Sequence, residues 1–208
     1  MLFLGQSGST RNLLNHYDRG RLVQQSYYGD SDGSLWDKRP WRYNPVQGGD
    51  YRGKSSRLIE LCSDSTSLYS KSVPLHWATG AELPECLMEQ WVKLEGSLVH
   101  ARFQMTYSGT TTHSAHHQEI PAIFVDASLA TLVTYTGLAP WTGAELTRRA
   151  PGTSNEYIKS RKIGSLTLTR KISEWVLMSR LPQMRLVIGF SAARARIARM
   201  SLPSPPSP

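Results

Sequence analysis

Three stretches of the chain concentrate side chains that could do chemistry. The first, residues 15–29, crowds hydrogen-bonding groups and aromatic rings together, among them Arg19, Gln25 and Tyr28. Saccharides are bound by this mixture, because planar polar side chains pair with neighbouring hydroxyl groups and aromatic faces contact apolar C–H patches. Turn capping and packing at a sheet edge would explain the same composition. We predict that Arg19, Gln25 and Tyr28 bind substrate.

The second stretch, residues 35–53, holds two Trp, two Tyr and three Arg in a Pro- and Gly-rich sequence without periodicity. Long irregular loops that keep aromatic side chains are commonly binding loops. Basic residues between aromatic ones also suit single-stranded nucleic acid, but Asp residues dilute the charge here. We therefore predict a saccharide-binding loop in which Trp41, Asn44 and Gln47 contact the ligand, and we regard nucleic acid as the weaker alternative.

The third stretch, residues 113–122, contains three His and one Glu. A neutral imidazole beside a carboxylate can transfer protons near pH 7. Glu119 opens a predicted strand after a polar loop, so we predict it as general acid or base, with His117 as its partner or as a hydroxyl ligand. An ion pair with Arg102 or Arg42 would explain Glu119 equally well. The spacing matches no familiar zinc pattern, and we predict neither a metal nor a cofactor.

The elements that must position these residues are predicted to be strands. Residues 97–107 alternate strictly between apolar and polar side chains, which indicates a strand with one buried face. Residues 90–95 precede them across a Gly-containing hairpin turn. Further strands are predicted at 57–62, 67–73, 120–125 and 129–136. With no competing helical pattern, the predicted fold class is all-β, an antiparallel β-sandwich.

Two further features of the sequence limit the class of protein that it can encode. No apolar run approaches the ~18–20 residues of a membrane-spanning helix, so we expect no membrane span. The two cysteines, Cys62 and Cys86, are too few for a disulfide framework, and we predict both to be core thiols.

The charge of the chain changes abruptly near its end. Up to Thr147 there are 12 Lys and Arg against 14 Asp and Glu, whereas from Arg148 onward there are 12 against 2. The whole formal excess of +8 therefore lies in the last part of the chain, which ends in a Pro/Ser repeat. If this tail is genuine, it predicts a partner such as a nucleic acid or an acidic surface.

We hypothesise instead that the reading frame changes near Ser160. Shifting the frame over residues 161–190 admits a translation that restores acidic residues, alternates like strands and contains Glu-Asn-Trp and Gly-Val-Gly-Val. On this hypothesis, residues 1–160 form a partial β-sandwich domain, and residues 161–208 form a disordered tail without evolved function. The first residues lack the features of a signal peptide. We therefore expect a fragment whose export signal, for a secreted or periplasmic parent, lies upstream.

Several motifs resemble a group of poorly characterised bacterial proteins with a galactose-mutarotase-like β-sandwich. They are NHYDRGR at 15–21, QQSYY at 24–28, NPVQGG at 44–49, QEIPA at 118–122 and TLVTYTG at 131–137. The resemblance covers about residues 11–147 and implies an incomplete supersandwich fold of the carbohydrate-active type. Classical mutarotases use a catalytic His and a catalytic Glu, to which His117 and Glu119 correspond only loosely.

The sequence thus predicts a protein that binds or processes a saccharide or polysaccharide. Within that prediction, an enzyme of hydrolase, lyase or epimerase type and a non-catalytic sugar-binding module both remain open. The alternative from another class is a basic-tailed binder of nucleic acid or of an acidic surface, whose affinity would fall steeply with salt.

Overall fold

The computed structural model describes residues 2–6, 14, 23–96, 98–116, 118–124, 131–135, 146–150, 164–169, 174–177, 184–189 and 193–197. All strand pairings in it are antiparallel, and these residues form no helix. The predicted all-β, antiparallel class is therefore confirmed, and the arrangement is consistent with a β-sandwich. Arg19 and His117, both predicted site residues, lie outside the described residues.

The strands form five antiparallel sheets. In chain order they are β1 (Leu2–Gln6), β2 (Val23–Ser26), β3 (Ser31–Trp36), β4 (Arg39–Arg42), β5 (Pro45–Val46), β6 (Arg57–Ser63), β7 (Ser67–Val73), β8 (Leu75–His76), β9 (Cys86–Glu95), β10 (Leu98–Tyr107), β11 (Glu119–Ile123), β12 (Thr131–Tyr135), β13 (Leu146–Arg149), β14 (Gly164–Thr169), β15 (Glu174–Leu177), β16 (Met184–Gly189) and β17 (Ala193–Ile197).

The largest sheet has the order β16-β10-β9-β7-β6. Its centre is the hairpin of β9 and β10, in which Leu98 lies opposite Glu95 and Gly96 takes a positive φ of 58° in the turn. The predicted alternation is confirmed, because Val99, Ala101 and Phe103 of β10 are buried. These side chains and their neighbours on β9 form the inner face of the sheet.

The two cysteines differ in their surroundings. Cys86, at the start of β9, is fully buried, as predicted. Cys62 lies on β6 and is exposed, so the prediction of a core thiol is wrong for this residue. The reason is that β6 is the edge strand of its sheet, where Leu58 and Ile59 are also exposed.

A second sheet has the order β11-β2-β5-β8. Its strands are short, and β2 buries polar side chains, with Gln24, Gln25 and Ser26 almost fully inaccessible. The Gln25 Nε2 group donates a 2.8 Å hydrogen bond to the Glu89 carbonyl oxygen of β9, which ties the two sheets together. The predicted strand at 120–125 is observed as β11 and begins at Glu119.

The stretch predicted as an irregular loop contains a hairpin instead. Strands β3 and β4 pair with Trp36 opposite Arg39, and the turn residues Asp37 and Lys38 have φ values of 47° and 63°. Positive φ at both central residues is the geometry of a type I′ turn, which matches the twist of the flanking strands. The prediction of an irregular loop is therefore wrong for residues 35–42.

The remaining strands form a sheet of order β13-β12-β14-β15 and the pair β1-β17. Strands β14 to β17 fall within residues 161–208, for which the sequence predicts a disordered tail. The frame hypothesis concerns the gene, and the domain boundary at residue 160 stays a prediction. Within the described part of the chain, no helix has the length and apolar character needed to cross a membrane.

Candidate functional site

Five aromatic side chains beside the second sheet form an unbroken series of ring contacts, which we call the aromatic row. Adjacent ring centroids lie 6.4 Å apart for Tyr28 and Trp41, 4.6 Å for Trp41 and Trp36, 5.8 Å for Trp36 and Trp77, and 6.1 Å for Trp77 and Tyr51. Three of the contacts, with interplanar angles of 70–76°, are edge-to-face, an arrangement that aromatic rings prefer to face-to-face stacking, and that of Trp77 and Tyr51 is tilted at 54°.

The rings of the aromatic row differ in accessibility. Trp77 is buried, at 8% exposed, and Tyr51 is exposed at 37%. Tyr28, Trp36 and Trp41 are partly exposed. The row therefore combines an anchored ring with four rings that a ligand could reach.

The hairpin of β3 and β4 positions the centre of the row. Its tight turn brings Trp36, the last residue of β3, next to Trp41 in β4. Trp77 follows β8 directly, and its carbonyl oxygen accepts a 3.2 Å hydrogen bond from the Tyr51 backbone N–H. Three separate turns thus converge on one line of rings.

A shallow pocket opens at the hairpin, lined by Trp36, Asp37, Arg39, Pro40 and Trp41. Its volume is about 220 Å³, below the ~300–1,000 Å³ typical of pockets that enclose a small-molecule ligand. Two indole side chains and a proline supply the apolar residues of the lining, and one acidic and one basic residue supply its charged ones. This geometry suits contact with one face of a ligand.

Asn44, predicted to contact substrate, lies beneath Trp41 and is only 1% exposed. Its Oδ1 accepts the Trp41 indole N–H at 3.2 Å. Its Nδ2 donates to Ser26 Oγ at 3.0 Å and to the Tyr27 carbonyl oxygen at 2.7 Å. The whole amide is thus engaged inside the protein, where it fixes the orientation of the Trp41 ring.

Gln25 and Gln47 are also buried and bonded to each other. The Gln25 backbone N–H donates to Gln47 Oε1 at 3.2 Å, and the Gln47 backbone N–H donates to the Gln25 carbonyl oxygen at 2.9 Å. Because Gln25 is fully inaccessible, it supports the sheet under the row in this conformation. A direct role of either glutamine in ligand binding stays a prediction.

Tyr28 and Glu119 are brought together by the pairing of β2 with β11. Gln118 clamps the Tyr28 backbone, because its Oε1 accepts the Tyr28 N–H at 2.6 Å and its Nε2 donates to the Tyr28 carbonyl oxygen at 2.9 Å. The next residue, Glu119, lies opposite Ser26. The predicted acid is therefore on the strand beside the row, and it is partly exposed.

The histidine-rich loop is held by Asp30, a residue that the sequence does not single out. Asp30 Oδ2 accepts the Ser114 backbone N–H at 2.9 Å, and Oδ1 lies 2.9 Å from His116 Nε2. These bonds, led by that with His116, lower the pKa of Asp30 to about 2. Among the described residues, no group of three or more His, Cys, Asp or Glu side chains is arranged to hold a metal ion.

His113 of the same loop is packed inside an aromatic cluster. Its ring stacks on Tyr43 with centroids 4.8 Å apart and an interplanar angle of 16°. A Cβ atom at Gly29 would lie only 2.8 Å from His113 Nδ1. Glycine at position 29 therefore permits the close approach of this imidazole to the backbone.

His76 is fixed as a structural imidazole. Its Nδ1 accepts the backbone N–H groups of Ala78 and Thr79 at 3.1 and 3.3 Å. The proton of the neutral ring therefore resides on Nε2, which donates to Asp32 Oδ2 at 2.7 Å. With both nitrogens engaged, His76 has no free lone pair for catalysis.

Burial disfavours a nucleophilic role for the Cys86 thiol. Cys86 Sγ lies 3.1 Å from the Tyr43 hydroxyl, which also donates to Glu85 Oε1 at 2.6 Å. Burial raises the pKa of the Cys86 thiol to about 11, and burial likewise raises the pKa of Tyr43. Both groups remain protonated at neutral pH, whereas a nucleophilic cysteine needs its thiolate.

Six of the eight predicted site residues are described, and all six surround strands β2, β4, β5 and β11. Sequence reasoning missed Trp36, Trp77 and Tyr51 as members of the row; Trp36 and Tyr51 lie in the aromatic-rich stretch, whereas no local signal marks Trp77. Compared with known proteins, the chain matches no family model, no curated protein and no solved structure.

Proposed function

We propose that this protein binds a saccharide or polysaccharide along the aromatic row. The observation that carries the proposal is the continuous contact of five rings from Tyr28 to Tyr51, four of them accessible. Aromatic faces bind the apolar C–H patches of sugar rings, while polar groups at the rim bind their hydroxyls. Asp37 and Arg39 supply such groups beside Trp36 and Trp41.

The shape of the site supports a chain-like ligand. A pocket of about 220 Å³ would hold one face of a sugar ring, and accessible rings continue from it to Tyr28 on one side and, beyond the buried Trp77, to Tyr51 on the other. An extended saccharide would place successive rings against Trp41, Trp36 and their neighbours. We further propose that the fold is the galactose-mutarotase-like supersandwich, a proposal supported by its antiparallel sheets and by the motif resemblance.

A glycan array probed with the full chain and with the Trp41→Ala variant tests this function. We expect the wild type to retain a defined class of glycan and the variant to bind it about tenfold more weakly, because one stacking contact is worth about 1 kcal/mol or more. Trp91→Phe, on the other sheet, is the matched control and should bind neutral glycans like the wild type. Absence of any glycan binding, or full affinity in Trp41→Ala, would contradict the proposal.

A catalytic role for Glu119 is the second candidate, and the position of this residue favours it. Glu119 begins β11 opposite Ser26, and the preceding Gln118 clamps the backbone of Tyr28. As general acid or base, Glu119 would transfer a proton to or from the sugar held at the row, with His117 as its predicted partner.

The Glu119→Gln variant separates an enzyme from a binding module. Glycans retained by the array are incubated with the wild type and the variant, and the products are separated by chromatography. An enzyme loses turnover at least a hundredfold in the variant and keeps its affinity. If the wild type yields no product from any bound glycan, the protein is a module and Glu119 has no catalytic role.

A further inference from the structure

We propose a second ligand site on the outer face of the five-stranded sheet, where Tyr69, Trp91 and Arg102 bind a saccharide that carries a carboxylate. This site is independent of the aromatic row. It lies on β7, β9 and β10, whereas the row is built from the hairpin β3-β4 and the turns beside the second sheet.

The three side chains occupy paired positions on adjacent strands. Trp91 lies opposite Tyr69 of β7 and opposite Arg102 of β10. Because side chains alternate along a strand, they project from the face opposite to buried Met88, Val92 and Phe103. All three are partly exposed. They therefore form a line across three strands, about 10 Å long at the usual strand spacing.

The three side chains pack against one another and form a continuous surface, which we call the platform. The rings of Tyr69 and Trp91 have centroids 5.1 Å apart and are tilted by 34°. The guanidinium carbon of Arg102 lies 4.4 Å from the centroid of the Trp91 ring, at cation–π distance. Tyr69 is fixed by a 2.6 Å hydrogen bond from its hydroxyl to Glu89 Oε1, which raises the pKa of Tyr69 to about 12.

The charge of Arg102 is the feature that points to an anionic ligand. No carboxylate of the described residues lies within ion-pair distance of Arg102. Its Nη2 donates to Gln104 Oε1 at 3.0 Å, but its Nε is buried without an acceptor. A guanidinium has five donors in a planar fork that matches a carboxylate. The platform thus pairs two aromatic rings with a guanidinium that no carboxylate of the described residues neutralises.

The surroundings decide which anion fits. Glu89 lies opposite Lys71, and Glu95 pairs with Lys93 at 2.6 Å, so these charges balance and a densely charged polyanion such as nucleic acid would gain little beyond Arg102. A uronic acid instead offers one carboxylate for Arg102 and one ring with apolar C–H groups for the accessible parts of Tyr69 and Trp91. A saccharide with a carboxylate on its sugar ring is therefore the ligand class that matches the platform.

Calorimetric titration of the full chain with oligogalacturonate tests the proposal. We expect binding to the wild type and a loss of at least tenfold in Arg102→Gln. Arg57→Gln is the matched control, because Arg57 lies on β6 of the same sheet, is exposed and already pairs with Glu82 at 3.0 Å. This variant should bind like the wild type, and equal affinity of wild type and Arg102→Gln would overturn the proposal.

A second measurement needs no variant. The wild type is titrated with the same oligosaccharide after its carboxylates have been reduced to hydroxymethyl groups. The proposal requires that this neutral ligand binds at least tenfold more weakly. Equal affinity for the charged and the neutral ligand would show that Arg102 recognises no carboxylate. A negative result at this second site would not affect the proposal for the aromatic row, because that proposal is tested separately by the binding of neutral glycans on the array.

Discussion

The amide of Asn44 illustrates how a buried residue can serve a surface site. Its three hydrogen bonds orient Trp41 from below and link β2 to the chain before β5. The sequence identifies Asn44 as a candidate but does not show where its side chain points, because a polar side chain in a short, irregular segment can face a ligand or the interior. Gln25 and Gln47 illustrate the same difficulty. Glutamine is a residue type that can bind a sugar, but both side chains are buried in the fold.

Replacing Asn44 with Ala should destabilise the protein by about 2 kcal/mol or more, because it leaves buried hydrogen-bonding groups without partners. Urea unfolding measures the loss. Ser34→Ala is the control, since the Ser34 hydroxyl bonds only to the exposed Asp32 carboxylate and its loss should change the free energy of unfolding little. A change of less than about 0.5 kcal/mol in Asn44→Ala would mean that the amide does not hold the site.

Asp30 makes the stability of the histidine loop depend on pH. Its pKa in the folded protein is about 2, lowered from an ordinary value of 3.8. A lowered pKa stabilises the fold above the ordinary value, and this contribution is lost as pH falls from about 4 to about 2. Asp30→Asn should therefore be less stable than the wild type at neutral pH and converge with it in that window.

Urea midpoints of both proteins, followed from neutral pH to about pH 2, measure the convergence. Asp64→Asn is the comparison variant, because the pKa of Asp64 is also about 2 but its bonds are confined to Thr66 and Ser67. Only Asp30→Asn should release the loop that carries His113. A stability difference that persists unchanged to the acid end would contradict the role of the Asp30 carboxylate.

At the scale of elements, the long strands were predictable and the short ones were not. The ten residues of β10 show alternation over five pairs, and the observed strand matches the prediction closely. Strands β5 and β8 have two residues each, too few to show any period. The hairpin β3-β4 escaped prediction because its turn contains Asp37 and Lys38 rather than Asn-Gly, and because Pro40 breaks the strand pattern.

The turn of that hairpin can be tested by substitution at position 38. Lys38 has a φ of 63°, which glycine adopts freely and β-branched residues adopt only with strain. We expect Lys38→Gly to match or exceed the stability of the wild type, and Lys38→Val to lose about 1 kcal/mol or more. Urea unfolding measures both variants. Equal stability of the two variants would contradict the type I′ turn that positions Trp36 and Trp41.

At the scale of the whole molecule, the all-β class could be predicted from the alternation of apolar and polar residues and from the turn residues. The order in which the strands pair could not. Gln25 reaches Glu89 across 64 positions, and Gln118 reaches Tyr28 across 90. Such contacts depend on how sheets stack, which no local pattern encodes. The aromatic row is likewise assembled from three distant turns, so its five members could not be recognised together from the sequence.

The hypothesis that the reading frame changes near Ser160 also concerns the whole molecule, and DNA sequencing can test it. Resequencing the genomic DNA across codons 150–175 should reveal one inserted or missing base near codon 160, which would restore the acidic strand sequence. An unbroken reading frame would contradict the hypothesis and make the basic tail a genuine feature. Nucleic-acid binding at several salt concentrations would then be the assay of choice, because phosphate contacts weaken steeply with salt.

The central claim, saccharide binding at the aromatic row, is tested most directly by nuclear magnetic resonance of the indole N–H groups. The chain has six tryptophans, and Trp→Phe variants assign the signals of Trp36, Trp41 and Trp91. On titration with a neutral glycan retained by the array, the signals of Trp36 and Trp41 should shift together with one dissociation constant, while that of Trp91 stays in place. Saturable binding that leaves Trp36 and Trp41 unshifted would contradict the account.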